Sequence, residues 1–294
     1  MLSPNKRNHA IRLPPRPESK AGRYLAVAAI IRNEGRYLRE WIEFQRLMGA
    51  EQIYLYDNGS TDDSVDVVAP FVTEGFVVLI PWHIFDDRVS SQKQAYAHAL
   101  CNFGYDFRWM AFIDLDEFLF PVTAPNLTAV LSDYEDCPCL CVPWFLFGFS
   151  GHAEPPQGPV IENYTQRAPF PPTAHHAMLV RWKSIVNPAV ITTVYDAHMF
   201  KTASGWVGGM DERRTMVSIG SIDDPPPGAV LRINHYYTRS RREFAQKSDR
   251  WDEGLISPGK RQRRMDLIEA ETVPDDTILR FLPALRERMN LKRK

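Results

Sequence analysis

Met110-Ala111-Phe112-Ile113-Asp114-Leu115-Asp116-Glu117-Phe118 runs from an unbroken apolar segment into three carboxylates within four positions. The apolar part, with its aromatic and β-branched residues, has the composition of a buried strand. Asp114 and Asp116 are two residues apart, so on an extended chain both side chains leave the same face. Two carboxylates held together repel each other, and desolvation adds to the cost. A hard divalent cation such as Mn²⁺ or Mg²⁺ relieves that cost through oxygen ligation. The same acids also suit a turn or the first turn of a helix. The N-terminal third bears on the choice.

There, Tyr24–Ile31 reads as a buried strand closed by Arg32-Asn33-Glu34-Gly35. A helix is expected from about Arg36 to Met48, with Leu38, Trp41, Ile42 and Leu47 on its apolar face and Gly49 as its stop. Gln52–Tyr56 is the next strand, followed by Asp57-Asn58-Gly59-Ser60-Thr61-Asp62-Asp63 and a helix over Ser64–Pro70. Phe76–Pro81 makes a third strand, and a helix over Ser91–Phe103 leads into Met110–Asp114. This alternation is the βαβ pattern of a mostly parallel sheet. Yet no G-x-G-x-x-G follows the first strand and no G-x-x-x-x-G-K-[S/T] occurs. A diphosphate ligand would need another source of neutralisation, which a cation on Asp114 and Asp116 supplies. Asp57 suits two roles: forming the turn, or accepting a hydrogen bond from a nucleobase N–H.

The second half is richer in loops. Short helical structure is expected near Asn126–Tyr134 and strands over Cys139–Phe149, Met178–Trp182, Ala189–Val194 and Val230–Tyr237, in a partly antiparallel region. The aromatic run Cys139–Phe149 suits core packing or the wall of a sugar pocket. Ser204–Gly209 is loose enough for a lid. Cys137, Cys139 and Cys141 lack the second pair that a zinc site needs, so they and Cys101 are read as small apolar residues in a reducing compartment. A net charge of -1 gives no electrostatic case for nucleic acid. The opening residues lack the apolar core of a signal peptide, and no run of 18 apolar residues occurs. The expectation is a cytoplasmic protein, peripheral on the inner face of a membrane at most. Arg239–Arg264 carries nine Lys/Arg against four acids, and Arg280–Lys294 six against one. Such basic helices suit an anionic lipid surface, an anionic substrate or a solvated face.

A-I-I-R-N-E-G-R-Y-L-R-E-W-I-E-F-Q-R-L-M-G at 29–49 (beginning with Ala29), Y-L-Y-D-N-G-S-T-D at 54–62, F-I-D-L-D-E-F at 112–118, F-G-F-S-G-H at 147–152 and N-H-Y-Y-T-R-S-R-R-E-F at 234–244 occur in this order. In this combination the chain resembles the GT-A glycosyltransferases, and more closely glycosyltransferase family 92, over about Leu25 to Lys247. The resemblance implies an α/β GT-A fold and a nucleotide-diphospho-sugar donor. It puts Arg32, Glu34, Asp57, Asp114, Asp116 and Arg239 on the donor, with Asp114, Asp116 and His235 on Mn²⁺ or Mg²⁺. Imidazole is acceptable to Mn²⁺; His198 is the competitor for that place. Phe149 stands where related sequences often have Ser. Arg239-Ser240 replaces the usual Lys-Ser, a planar fork for a point cation.

The implied organisation is a polar lead-in (1–22), a nucleotide-sugar-binding half (23–120), an acceptor-side half of the same domain (121–238) and a basic helical segment (239–294). The implied reaction moves a hexose, by default from UDP-galactose or UDP-glucose, onto a glycan or lipid-linked saccharide with inversion. Inversion requires a general base opposite the leaving group. Asp211 or Glu212, after the glycine-rich stretch, is the first candidate and Glu162 the second. A nucleotidyltransferase would carry a glycine-rich basic loop where Arg32-Asn33-Glu34-Gly35 stands. A metal-dependent hydrolase would cluster more His and Asp ligands. A non-catalytic glycan-binding protein of the same fold would bind sugar without metal-dependent donor turnover.

Overall fold

The computed structural model describes residues 9–15, 22–83, 89–170, 180–218, 226–250 and 258–291. The chain runs β1 (Ile11–Arg12), β2 (Arg23–Ile31), α1 (Gly35–Leu47), β3 (Gln52–Asp57), α2 (Ser64–Thr73), β4 (Val77–Pro81), α3 (Ser91–Asn102) and β5 (Phe107–Phe112). Next come β6 (Glu117–Pro121), α4 (Leu127–Leu131), β7 (Cys139–Leu146), α5 (Val160–Asn163), β8 (Gln166–Arg167), β9 (Trp182–Val186), β10 (Ile191–Val194) and β11 (Phe200–Thr202). Then follow β12 (Gly209–Met210), β13 (Met216–Val217), β14 (Leu231–His235), α6 (Arg241–Arg250), α7 (Pro258–Ala270), β15 (Val273–Pro274) and α8 (Leu282–Arg288).

Strands β4, β3, β2 and β5 lie side by side in that order, all parallel. The chain moves one way from β2 to β4, then crosses through α3 and returns on the other side of β2. This reversal opens a crevice at the carboxyl ends of β2 and β5, where α/β sheets collect ligands. Beyond β5 the sheet is mixed. Strand β9 is antiparallel to both β5 and β7, and β14 is parallel to β7 and antiparallel to β6.

Alternation along β2 explains why its sequence is apolar throughout. Leu25, Val27, Ala29 and Ile31 pack with Leu38, Trp41 and Ile42 of α1, whereas Ala26 and Ala28 pack with Ala95, Tyr96 and Ala99 of α3. A strand covered on both faces has no side left for polar residues. Helix α1 begins without a side-chain cap of its own. Its first backbone donors are satisfied across the crevice instead: Glu34 N–H donates to Ser64 Oγ and Gly35 N–H to Asp62 Oδ2, each at 3.0 Å.

Several expectations shift. The strand entering the acidic motif ends at Phe112, so Asp114 and Asp116 sit on a turn rather than on one strand face. The strand expected at Met178–Trp182 begins only at Trp182; Met178 and Leu179 lie outside the described residues. Cys137 packs in a different cluster from Cys139 and Cys141. Those two sulfurs abut Gly209, where an added Cβ would lie 2.6 Å from the Cys139 carbonyl oxygen, so only glycine lets β12 approach β7. The Ser204–Gly209 stretch folds back on β11, with Thr202 N–H donating to Trp206 O and Gly208 N–H to Phe200 O. In the last basic segment, Arg280 donates to the carbonyls of Pro121, Thr123 and Ala124, Arg286 pairs with Glu162, and Arg288 lies 3.3 Å from Glu43. Among the described residues no helix is long and apolar enough to cross a membrane.

Asp275 fastens this C-terminal segment to the sheet. Its carboxylate receives Arg167 Nε at 2.6 Å and the Arg232 guanidinium, and it also accepts the Thr277 N–H. Burial alone would raise its pKa, but hydrogen bonds from the two arginines hold it down at about 2, from an ordinary 3.8. A carboxyl with a depressed folded-state pKa adds stability above its unfolded pKa and loses it as pH falls through the folded value. Asp275→Asn should therefore lower unfolding free energy by about 2 kcal/mol at pH 7. Urea titrations of both proteins should converge as pH drops from 4 toward 2.

Candidate functional site

Two loops at the carboxyl ends of β2 and β3 are stitched together across the crevice. Asn33, held in the left-handed region at φ 57°, accepts the Thr61 N–H at 2.7 Å on its side-chain oxygen, while its own N–H donates to Ser60 Oγ. Asp57 ends β3 in register with Ile31, and its Oδ1 accepts the Ser60 N–H at 2.9 Å. Asp57 thus forms the turn and remains half-buried at the strand's end. Arg32, next to it, is exposed.

The acidic turn is built around buried charge. Trp41 of α1 is fully buried and donates its indole N–H to the carbonyls of both Asp114 (3.1 Å) and Glu117 (2.9 Å), fixing the turn's backbone. Lys183, from the start of β9, is 1% exposed and places Nζ 2.8 Å from Asp114 Oδ2 and 3.8 Å from Glu117 Oε2. Burial works against its charge, but Asp114 and Glu117 outweigh that and raise its pKa. Asp114 Oδ1 accepts from Gln92 at 2.6 Å and Tyr96 OH at 3.4 Å, and Glu117 Oε2 accepts the Asp114 N–H at 2.9 Å. Asp114 is thereby enclosed by protein donors.

Asp116, Glu117 and His235 form a second group, with ligand atoms all within 4.8 Å of one another. The antiparallel pairing of β14 with β6 sets His235 opposite Glu117. His235 Nε2 lies 3.4 Å from Asp116 Oδ1, and its Nδ1 lies 3.9 Å from Glu117 Oε1. Glu117 is fully buried, and its Oε1 has no hydrogen-bond partner among the described residues. Burial pushes its carboxyl well above the ordinary range, against the pull of Lys183. Two carboxylates and an imidazole, with one buried carboxylate oxygen orphaned, fit Mn²⁺ or Mg²⁺. Asp114, expected on the metal, stands outside this group, and Glu117 takes its place.

Arg239 closes the turn from the chain after β14. At φ 50° it is held in the left-handed region, stacks 3.8 Å over the Tyr37 ring and pairs with Glu34 at 3.0 Å. Burial would lower its pKa, but Glu34 and Asp116 raise it, so the guanidinium stays charged. Glu243 anchors the neighbouring residues by accepting from Ser240 Oγ at 2.5 Å and from Tyr37 OH. His198 is not part of the metal group. Its Nδ1 lies 2.9 Å from the Trp182 carbonyl, and burial, reinforced by Lys183, lowers its pKa to about 3.

The three carboxylates expected to act as base lie elsewhere. Asp211 is fully buried, pairs with Arg213 and accepts the N–H groups of Arg213 and Thr215. Glu212 accepts the N–H groups of Ala229, Val230 and Leu231, at the end of β14 opposite His235. Leu231 and His235 are four positions apart along the strand, roughly 13 Å. Glu162 pairs with Arg286 beside α8. None of the three stands at the metal group.

Removing Lys183 leaves buried carboxylates uncompensated. Lys183→Met should destabilise the protein by about 3–5 kcal/mol. The loss should be larger at pH 8 than at pH 5, because protonation relieves a buried carboxylate. Denaturant unfolding checks this, and Lys183→Met combined with Glu117→Gln should recover part of the loss.

The model of glycosyltransferase family 92 matches residues 27–223. A family 92 protein of Oryza sativa subsp. japonica is 28% identical over 272 residues, covering 87% of this chain and 42% of its own length. One from Ricinus communis is 29% identical over 232 residues, covering 76% and 37%. The chain thus spans less than half the length of these relatives. Among solved structures, S. aureus TarS residues 1–349 in complex with UDP overlaps 56% of this chain and 47% of that one, with a TM-score of 0.34 and 14% identity. The family match runs through the stitched loops, the acidic turn and Lys183, and on that ground the chain belongs to glycosyltransferase family 92.

Proposed function

We propose that the protein transfers a hexose from a nucleoside diphosphate donor, UDP-galactose or UDP-glucose, to a glycan or lipid-linked saccharide, with inversion at the anomeric carbon. The observation that carries this reading is the orphaned Glu117 oxygen beside Asp116 and His235. It sits at the switch point of a parallel sheet that has no glycine-rich phosphate loop.

In this reading Asp116, Glu117 and His235 hold Mn²⁺ or Mg²⁺. The bound cation supplies charge stabilisation to the leaving diphosphate. The chain's own residues do the remaining work. Asp57 and Arg32 face the nucleoside. Asp114, paired with Lys183 and braced by Gln92 and Tyr96, offers carboxylate oxygens to donor hydroxyls. Arg239, pre-formed by its stack on Tyr37, adds a fixed positive charge for the diphosphate, and its pairing with Glu34 holds it in place until then. A cytoplasmic location at a membrane face belongs to the same proposal, since a lipid-linked acceptor would be met there.

Calorimetric titration of UDP and GDP, with Mn²⁺ and with EDTA, tests it. UDP should bind only with metal, and Asp116→Asn should weaken binding at least about tenfold, the loss of one charged ligand contact. GDP binding in place of UDP would change the donor and keep the chemistry. If neither nucleotide binds under any condition, the transferase reading fails.

A further inference from the structure

Two arginines stand beside the aromatic rings that pack on His235, and neither takes part in the reading above. Arg181 lies two residues before Lys183 on the same extended run, and its carbonyl accepts the Trp144 N–H at 2.9 Å. Its side chain is half-buried, and its one hydrogen bond among the described residues goes to the adjacent Val180 carbonyl. Arg264, on α7, is also half-buried and lies 5.4 Å over the Tyr237 ring. Neither is ion-paired among the described residues. Burial lowers the Arg181 pKa most and the nearby Arg264 charge next, and Asp196, whose carboxylate already accepts the His198 and Met199 N–H groups, offsets this only in part.

The rings between them place this pair at the metal group. Tyr237 lies 5.5 Å from His235, and His235 lies 4.4 Å from Trp144. Helix α7 is held over the ends of β7 and β14 by Glu269, which accepts the Phe149 N–H at 2.6 Å, and by buried Ile268. Trp144 is 6% exposed, and its indole N–H has no acceptor among the described residues. Two half-buried like charges and an unpaired indole donor in one wall are costly unless an anion with free oxygens joins them.

We propose that Arg181, Arg264 and the Trp144 indole N–H form a phosphate clamp beside the metal group, with the two guanidinium groups as its charged jaws. The phosphate comes either from the distal part of the donor diphosphate or from a phosphorylated acceptor. The clamp extends the proposed reading of this site but does not require it, because its charges stand whether or not a nucleotide binds next to them.

The test uses the full chain as wild type, Arg264→Gln, Arg264→Lys and Arg181→Gln, with circular dichroism as the fold control. UDP is titrated with Mn²⁺, and inorganic phosphate is then titrated into the UDP-saturated protein, both followed by tryptophan fluorescence and calorimetry. A loss of about tenfold in phosphate affinity in both Gln variants, with UDP affinity unchanged, assigns the clamp to an acceptor phosphate. The same loss in UDP affinity, with UMP binding unaffected, assigns it to the donor. Arg264→Lys should retain part of the affinity in either case. If wild type binds neither UDP nor GDP, the transferase reading fails, and phosphate titration of the nucleotide-free protein still tests the clamp. Changes under twofold for both ligands in both Gln variants overturn the proposal.

Discussion

Burial of Lys183 between Asp114 and Glu117 is the constraint on which the site depends. An ammonium group with 1% exposure is tolerable only when carboxylates meet it at close range. Those carboxylates need their own support, which Trp41 gives through the backbone and Gln92 and Tyr96 give to Asp114. Three layers of the fold, α1, α3 and the mixed part of the sheet, converge on the four-residue turn between β5 and β6. Packing and electrostatics specify its shape together.

The result is a division of labour among neighbouring acids. Asp114 is neutralised from within the protein. Asp116 and Glu117 are left with His235 and an incomplete charge balance, the condition under which a divalent cation is worth binding. The buried lysine supplies one charge permanently and a mobile ion would supply the other. Arg239, stacked and paired, adds a third positive charge that is already oriented.

The acids first considered as bases show how a local sequence argument fails at long range. Asp211 and Glu212 follow a glycine-rich stretch, a suitable address for a catalytic residue. In the folded chain they tie together the far edge of the sheet, each accepting several backbone N–H groups. Buried backbone donors need acceptors, and a carboxylate meets that need as readily as it abstracts a proton. Charge alone does not distinguish the two roles.

The sequence by itself determined the parallel half of the fold. Strands covered on both faces must be apolar throughout, so Tyr24–Ile31 and Gln52–Tyr56 were legible with helices between them, and the turn chemistry of Asp57–Asp63 was equally local. It also picked out Asp116 and His235, since a carboxylate cluster after a strand and a histidine ending another are local signals. Tertiary structure alone decided which acids stand beside His235. Asp114 and Asp116 looked equivalent on an extended chain, but the strand stops at Phe112, and the turn sends one toward Lys183 and the other toward His235. Lys183 itself offered a faint signal, a lysine between Trp182 and Ser184 in an otherwise buried strand. Its partners lie nearly seventy positions away, and only the antiparallel pairing of β9 with β5 brings them together.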